Sequence, residues 1–166
     1  MRRSLTQLVL ILSVGMNVAA AATYSVTRTD DPDPDGCTLT DCSLREAVIA
    51  ANDDVQPDTI SLPAGTYLID LRGSDNSDST GDLDVSTDLT VVGAPSTIDA
   101  QELGRIFDIR SDANVTLRQL TLQNANTSLA TNGALAGGAL AIDGGSLTID
   151  TVVFADNTSQ GLGGGF

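Results

Sequence analysis

The chain has 166 residues, enough for one domain of ordinary size, and a formal net charge of −14 at pH 7. It contains neither His nor Lys, which excludes Ser-His-Asp and Cys-His catalysis and any Gly-rich phosphate loop completed by Lys. So large an excess of acid repels phosphate backbones and argues against nucleic acid as a partner.

The N-terminus reads as a leader. Arg2 and Arg3 open it, Leu8 to Val14 is apolar apart from Ser13, and Ala19 to Ala22 offers A-x-A cleavage sites. The apolar run is too short to span a bilayer. Residues 1–22 are therefore expected to be a secretory signal peptide, cut after Ala21 or Ala22. The acids left are almost all Asp, since only Glu46 and Glu102 are Glu. Asp bonds nearby backbone amides in turns and caps, so the bias predicts a turn-rich β protein and suits calcium.

Thr23 to Thr27 alternates around Tyr24 and Val26 as a short strand. Residues 30–36 (DDPDPDG) form a breaker-rich loop and the densest acidic cluster: Asp30, Asp31, Asp33 and Asp35. From Asp31 to Gly36 the spacing resembles the opening of an EF-hand loop, but its twelfth position is Cys42 where Glu is needed. Asp31, Asp33 and Asp35 are thus candidate calcium ligands, set against the plainer reading of a solvated loop. Cys37 and Cys42 are expected to form a disulfide in an oxidising compartment; two free thiols are the alternative. Ser43 and Glu46 make an S-x-x-E capping box, and Leu44, Ala47, Val48 and Ala51 line one face of a short helix ending near Asn52.

From Thr59 the pattern alternates. Ile60 with Leu62 and Tyr67 with Ile69 flank a turn, and residues 72–82 are a polar loop. Short strands are then expected at Leu83–Val85, Leu89–Val91, Ile106–Ile109, Val115–Leu117, Leu120–Leu122, Leu140–Ile142, Leu147–Ile149 and Val152–Phe154. An internal repeat runs through them. Val115, Leu117, Leu120 and Leu122 match Leu147, Ile149, Val152 and Phe154 at a shift of 32 residues. Phe107 and Ile109 match Leu140 and Ile142 at 33, and Leu83 and Val85 match Phe107 and Ile109 at 24. Leu89 and Val91 match Val115 and Leu117 at 26, as does GGAL (137–140) with GGGF (163–166). Such a repeat predicts a solenoid of stacked coils, with a β-sandwich as the alternative. The helix would cover the open end of the first coils.

CSLREA (42–47), continuing to Asn52, is preceded by Asp35-Gly36-Cys37 and followed by DTISLPAGTY (58–67) and GDLDV (81–85). Together these resemble the CSLREA-domain proteins, exported bacterial β-helix proteins. GGAL (137–140) and FADN (154–157) are similar to the repeats of chlamydial polymorphic outer membrane proteins, which are surface adhesins and autotransporters. The resemblance implies an all-β fold, a right-handed parallel β-helix with a short N-terminal capping helix, located outside the cell or on its outer membrane. Residues 23–56 would be the cap carrying the motif, Ser43, Leu44, Arg45, Glu46 and Ala47, and 57–166 the coils. Ending at Phe166, the chain reads as truncated, with further coils or an anchor expected in a full-length protein.

The function expected is a non-catalytic, adhesin- or stalk-like segment, with an extracellular glycan or host surface as partner. The rival is the N-terminal part of a secreted polysaccharide lyase or glycoside hydrolase, whose candidate residues are Asp108, Asp143, Asp150 and Arg118. Asp108 and Asp143 would form a carboxylate ladder. Arg45 and Glu46 are expected to be structural, Glu46 completing the cap and Arg45 pairing with an acidic loop. Asn114, Asn126 and Asn157 occupy N-x-[ST] sequons and read as turn residues, with Asn124 and Asn157 candidates for stacked amides.

Overall fold

A computed structural model describes residues 20–53, 55–73, 78–110, 112–127 and 137–159. The leader as far as Ala19 and the GGGF segment lie outside the described residues. The elements in order are β1 (Thr23–Ser25), α1 (Leu44–Asn52), β2 (Asp58–Leu62), β3 (Thr66–Leu68), β4 (Leu83–Val85), β5 (Leu89–Asp99), β6 (Phe107–Arg110), β7 (Asn114–Gln123), β8 (Leu140–Asp143) and β9 (Ser146–Ala155).

One sheet runs β1-β2-β5-β7-β9, with β3 also paired to β5; a second runs β4-β6-β8. Every pairing between these strands is parallel. The register follows the sequence repeat. Leu117 lies beside Ile149 and Leu122 beside Phe154. Phe107 lies beside Leu83 on one side and Leu140 on the other. A one-residue slip would turn each inward side chain to the opposite face, so the alternating pattern holds the register.

Four of the expected short strands are in fact two long ones. β7 bends at Gln119 (φ 54) and β9 at Thr151 (φ 60), which lie at equivalent places between paired residues. A single left-handed residue turns the chain and then lets alternation resume, so Arg118-Gln119 and Asp150-Thr151 interrupt the apolar pattern without ending the strand. In β5 the corner is a register irregularity between Val92 and Ser96. A Cβ on Gly93 there would run into the Gln119 carbonyl oxygen, so the close approach of β5 to β7 requires glycine. A second left-handed corner recurs at Asn124 (φ 55) and Asp156 (φ 53).

The inward positions share one core. Ile60, Leu62, Leu83, Val85, Leu89, Val91, Ile98, Phe107, Ile109, Leu117 and Leu122 are all buried, and each such side chain contributes about 1.5–3 kcal/mol. The core crosses the expected boundary at 56–57, for Val26, Leu44, Ala47, Val48 and Ala51 belong to the same cluster.

The all-β, right-handed parallel β-helix expectation is corrected. The protein is mixed α/β: two parallel sheets and a helix that packs against β1, β2 and β4. Leu44, Arg45, Glu46, Ala47, Val48 and Ala51 of α1 are all buried, so the helix is a component of the core and not an accessory lid. The repeat specifies which strands pair and in what register. It carries no information on how the sheets and helix are arranged around the core. Among the described residues no helix is long and apolar enough to cross a membrane.

Candidate functional site

The S-x-x-E spacing sets the start of α1. The Glu46 amide donates to Ser43 Oγ at 3.2 Å, and the Ser43 amide to Glu46 Oε2 at 2.7 Å. The Asp35 amide also donates to Glu46 Oε1, at 3.1 Å. Burial works against the Glu46 carboxylate, but these amides outweigh it and hold its pKa below the ordinary glutamate value. The Cys37–Cys42 disulfide closes the preceding loop. Thr27 anchors that loop to the end of β1: its amide donates to the Cys42 carbonyl at 2.9 Å, and its hydroxyl accepts from the Cys42 amide at 2.9 Å.

Among the described residues Arg45 is the largest fully buried side chain. Its Nε and Nη2 donate to Asp31 Oδ1 and Oδ2 at 2.8 and 2.9 Å, a bidentate pair. The same guanidinium reaches the carbonyls of Gly81 at 2.7 Å and Asp82 at 3.3 Å. Asp31 Oδ2 in turn accepts from the amides of Asp70 and Leu71 at 3.0 and 3.1 Å. A buried ion pair is tolerable only when its remaining donors and acceptors are met, and these bonds meet them. One turn pair further along α1, Asn52 Nδ2 donates to the Asp84 carbonyl at 2.7 Å, and Asn52 Oδ1 accepts from the Ser86 amide at 3.0 Å. Arg45 and Asn52 thus stand in for a neighbouring strand along the outer edge of β4.

Behind that edge lies a cluster of opposite charges. The carboxylates of Asp82, Asp84 and Asp108 each offer an oxygen within 4.8 Å of the others. Asp84 and Asp108 are direct neighbours across β4 and β6. Like charges so placed repel, and Arg110 relieves this by reaching Asp84 Oδ1 at 2.7 Å and Asp108 Oδ2 at 3.0 Å through Nη2. Burial opposes the Arg110 charge, yet Asp84 and Asp108 hold its pKa above the ordinary arginine value. Arg105 lies 3.5 Å from Asp82 and 3.9 Å from Asp108. The three acids form the group among the described residues best placed to share a cation. The two guanidiniums already supply positive charge there, and calcium would need six to eight oxygen ligands. The chemistry of the donor set is that of a buried ion-pair network.

The residues singled out from sequence are not gathered into one site. Asp31 is committed to Arg45, while Asp33 and Asp35 are exposed, so the three do not converge as an EF-hand opening would. Asp30 pairs at the surface with Arg28, at 2.8 Å, and this hydrogen bond pulls its pKa down to about 2. Asp108 and Asp143 make no ladder, because Asp108 registers with Ala141 and Asp143 with Arg110. Arg118 and Asp150 meet at 3.1 Å in an exposed pair on the other sheet. Asn124 and Asn157 do not stack: Asn124 donates to Asp99 Oδ2 at 2.9 Å, whereas Asn157 bonds the Ala125 amide and the Leu122 carbonyl, both at 3.0 Å. Asp82, Asp84, Arg105 and Arg110 were missed. The 24-residue shift that matches Leu83 and Val85 to Phe107 and Ile109 also sets Asp84 on Asp108, and that signal was available.

No protein family, curated protein or solved structure matches this chain. An open groove of about 520 Å³ beside β1, lined by Thr23, Tyr24, Ser25, Cys37, Thr38 and Leu39, adds no evident chemistry. The Tyr24 hydroxyl there donates to the Ala50 carbonyl at 3.1 Å.

Proposed function

We propose that this chain is a non-catalytic segment of an exported protein of the CSLREA-domain kind, secreted or held at the bacterial cell surface, where it acts as an adhesive or spacing element. The observation that carries this reading is the employment of the motif. Ser43, Arg45 and Glu46 are buried and joined to Asp31, Asp35, Gly81 and Asp82 in bonds that build the fold. A motif so used marks a structural module, since function has to be argued from a site and not from a fold. The disulfide accords with an oxidising compartment. The strongly acidic chain suits a neutral or cationic extracellular partner, such as a glycan or host-surface component, better than an anionic polymer.

The test is to express the chain with its own N-terminus in an exporting bacterial host, locate it by fractionation, and incubate the purified product with acidic glycans, neutral glycans and host-surface extract. The expected outcome is export, retention of surface material and no depolymerisation. Calcium-dependent cleavage that disappears in Asp108→Asn would replace this reading with the polysaccharide-enzyme one. Retention in the cytoplasm would remove the export claim.

A further inference from the structure

The approach to β1 contains an arrangement that the ion-pair network does not explain. The Ala22 amide donates to Asp58 Oδ1 at 2.6 Å, and the Ala22 carbonyl accepts from the Thr59 amide at 2.9 Å. Asp58 opens β2 and is only 1% exposed. Its second oxygen, Oδ2, is buried and has no hydrogen bond among the described residues. One amide donor on one oxygen is poor compensation for a buried carboxylate, which calls for a positive partner or further donors. Ala20 and Ala21, immediately upstream, are exposed.

We propose that the chain is cut between Ala21 and Ala22, and that the new α-ammonium of Ala22 forms an ion pair with Asp58 that locks β1 onto β2. This rests on the export reading above and deepens it. Ala19-Ala20-Ala21 supplies the small residues the A-x-A rule requires before the cut. In the cleavage, carried out by a leader-processing peptidase, water adds its hydroxyl to the Ala21 carbonyl carbon and a proton to the Ala22 nitrogen. That nitrogen takes up one further proton from solvent to become the ammonium. Where the uncut chain offers Asp58 a single N–H, the cut chain offers three and a full positive charge, on a nitrogen that in the uncut chain already lies 2.6 Å from Oδ1. The alternative cut after Ala22 would remove both the bond to Asp58 and the bond from Thr59. The geometry therefore selects between two sites that the leader sequence leaves equivalent.

The absence of lysine makes the test clean, because the α-amine is the only amine in the processed chain. The full precursor is expressed in an exporting host, and its product is examined by intact mass, N-terminal sequencing and timed acylation near neutral pH. The expected product begins at Ala22. Its native acylation is roughly tenfold slower than that of Asp58→Asn, the scale of an opposite charge holding a proton on the amine. Under denaturing conditions the two rates converge. A product beginning at Thr23, or equal native rates, overturns the proposal. An uncut, retained precursor instead defeats the export reading on which it rests. Should Asp58→Asn fail to fold, a chain beginning at Ala20, released from a foreign leader, replaces it. Its terminal amine should acylate without protection and its melting temperature should fall; equal protection and equal melting would overturn the pairing.

Discussion

At the β4 edge, Arg45 and Asn52 of the helix occupy the carbonyls of Asp82 and Asp84, and the strand residues Leu83 and Val85 are buried. At the opposite edge, β8 and β9 place Ile142 and Ile149 in register with Ile109 and Leu117, yet these isoleucines are 46% and 52% exposed where their partners are 0%. The hydrophobic pattern is the same at both ends. What differs, among the described residues, is whether another element lies over it. Inward direction and burial are thus separate properties: alternation sets the first, and neighbouring elements set the second.

The covered edge should be the more sensitive to substitution. Arg45→Ala strands the Asp31 carboxylate and uncovers the Gly81 and Asp82 carbonyls, and should destabilise the protein by about 3–5 kcal/mol in urea unfolding. A loss below about 1 kcal/mol, the scale of a surface pair, would mean that the helix contributes only packing there.

Registered positions in β7 and β9 should respond unequally to truncation. Leu117→Ala should cost about 2–5 kcal/mol as a core truncation. Ile149→Ala, at the same position one strand further on, should cost less than half of that, because its side chain already meets solvent. Equal losses in paired unfolding curves would show that β9 is covered in solution.

The smallest effect is in pH. Glu46 has a folded-state pKa below its ordinary value, so its contribution is complete above about pH 4.3 and is lost as pH falls through the folded value. Glu46→Gln should therefore be less stable by about 0.5–1 kcal/mol near neutrality, the scale of a charge at a helix N-terminus, with the gap closing on acidification. Amide exchange should place the change in α1 and leave β9 unaltered; a loss shared equally by β9 would break the distinction between the two edges.

Much of the local structure was legible in the residues. The capping box, the disulfide and the strand register all depend on interactions at short range or at a fixed spacing, and such spacing is visible in a one-dimensional chain. The fold class was not legible, because the strand repeat sets pairing and register and is silent on how much of the core a nine-residue helix fills. Its weight in the core depends on side chains from β1, β2 and β4 that close around it. The merged strands β7 and β9 were missed because a left-handed residue such as Gln119 or Thr151 carries no mark when it is not glycine.

The charged row shows the same division. The residues alone show that acids outnumber bases and that Arg45 stands in the motif, and the 24-residue shift also holds the unread match of Asp84 to Asp108. Only the tertiary structure decided that Arg45 is buried against Asp31, that Arg110 bridges Asp84 and Asp108, and that Asp143 falls out of line. The physical reason is one of range. Periodicity and capping are encoded by neighbours along the chain, whereas the partner of a buried charge is chosen by whichever groups from distant segments share its low-dielectric surroundings.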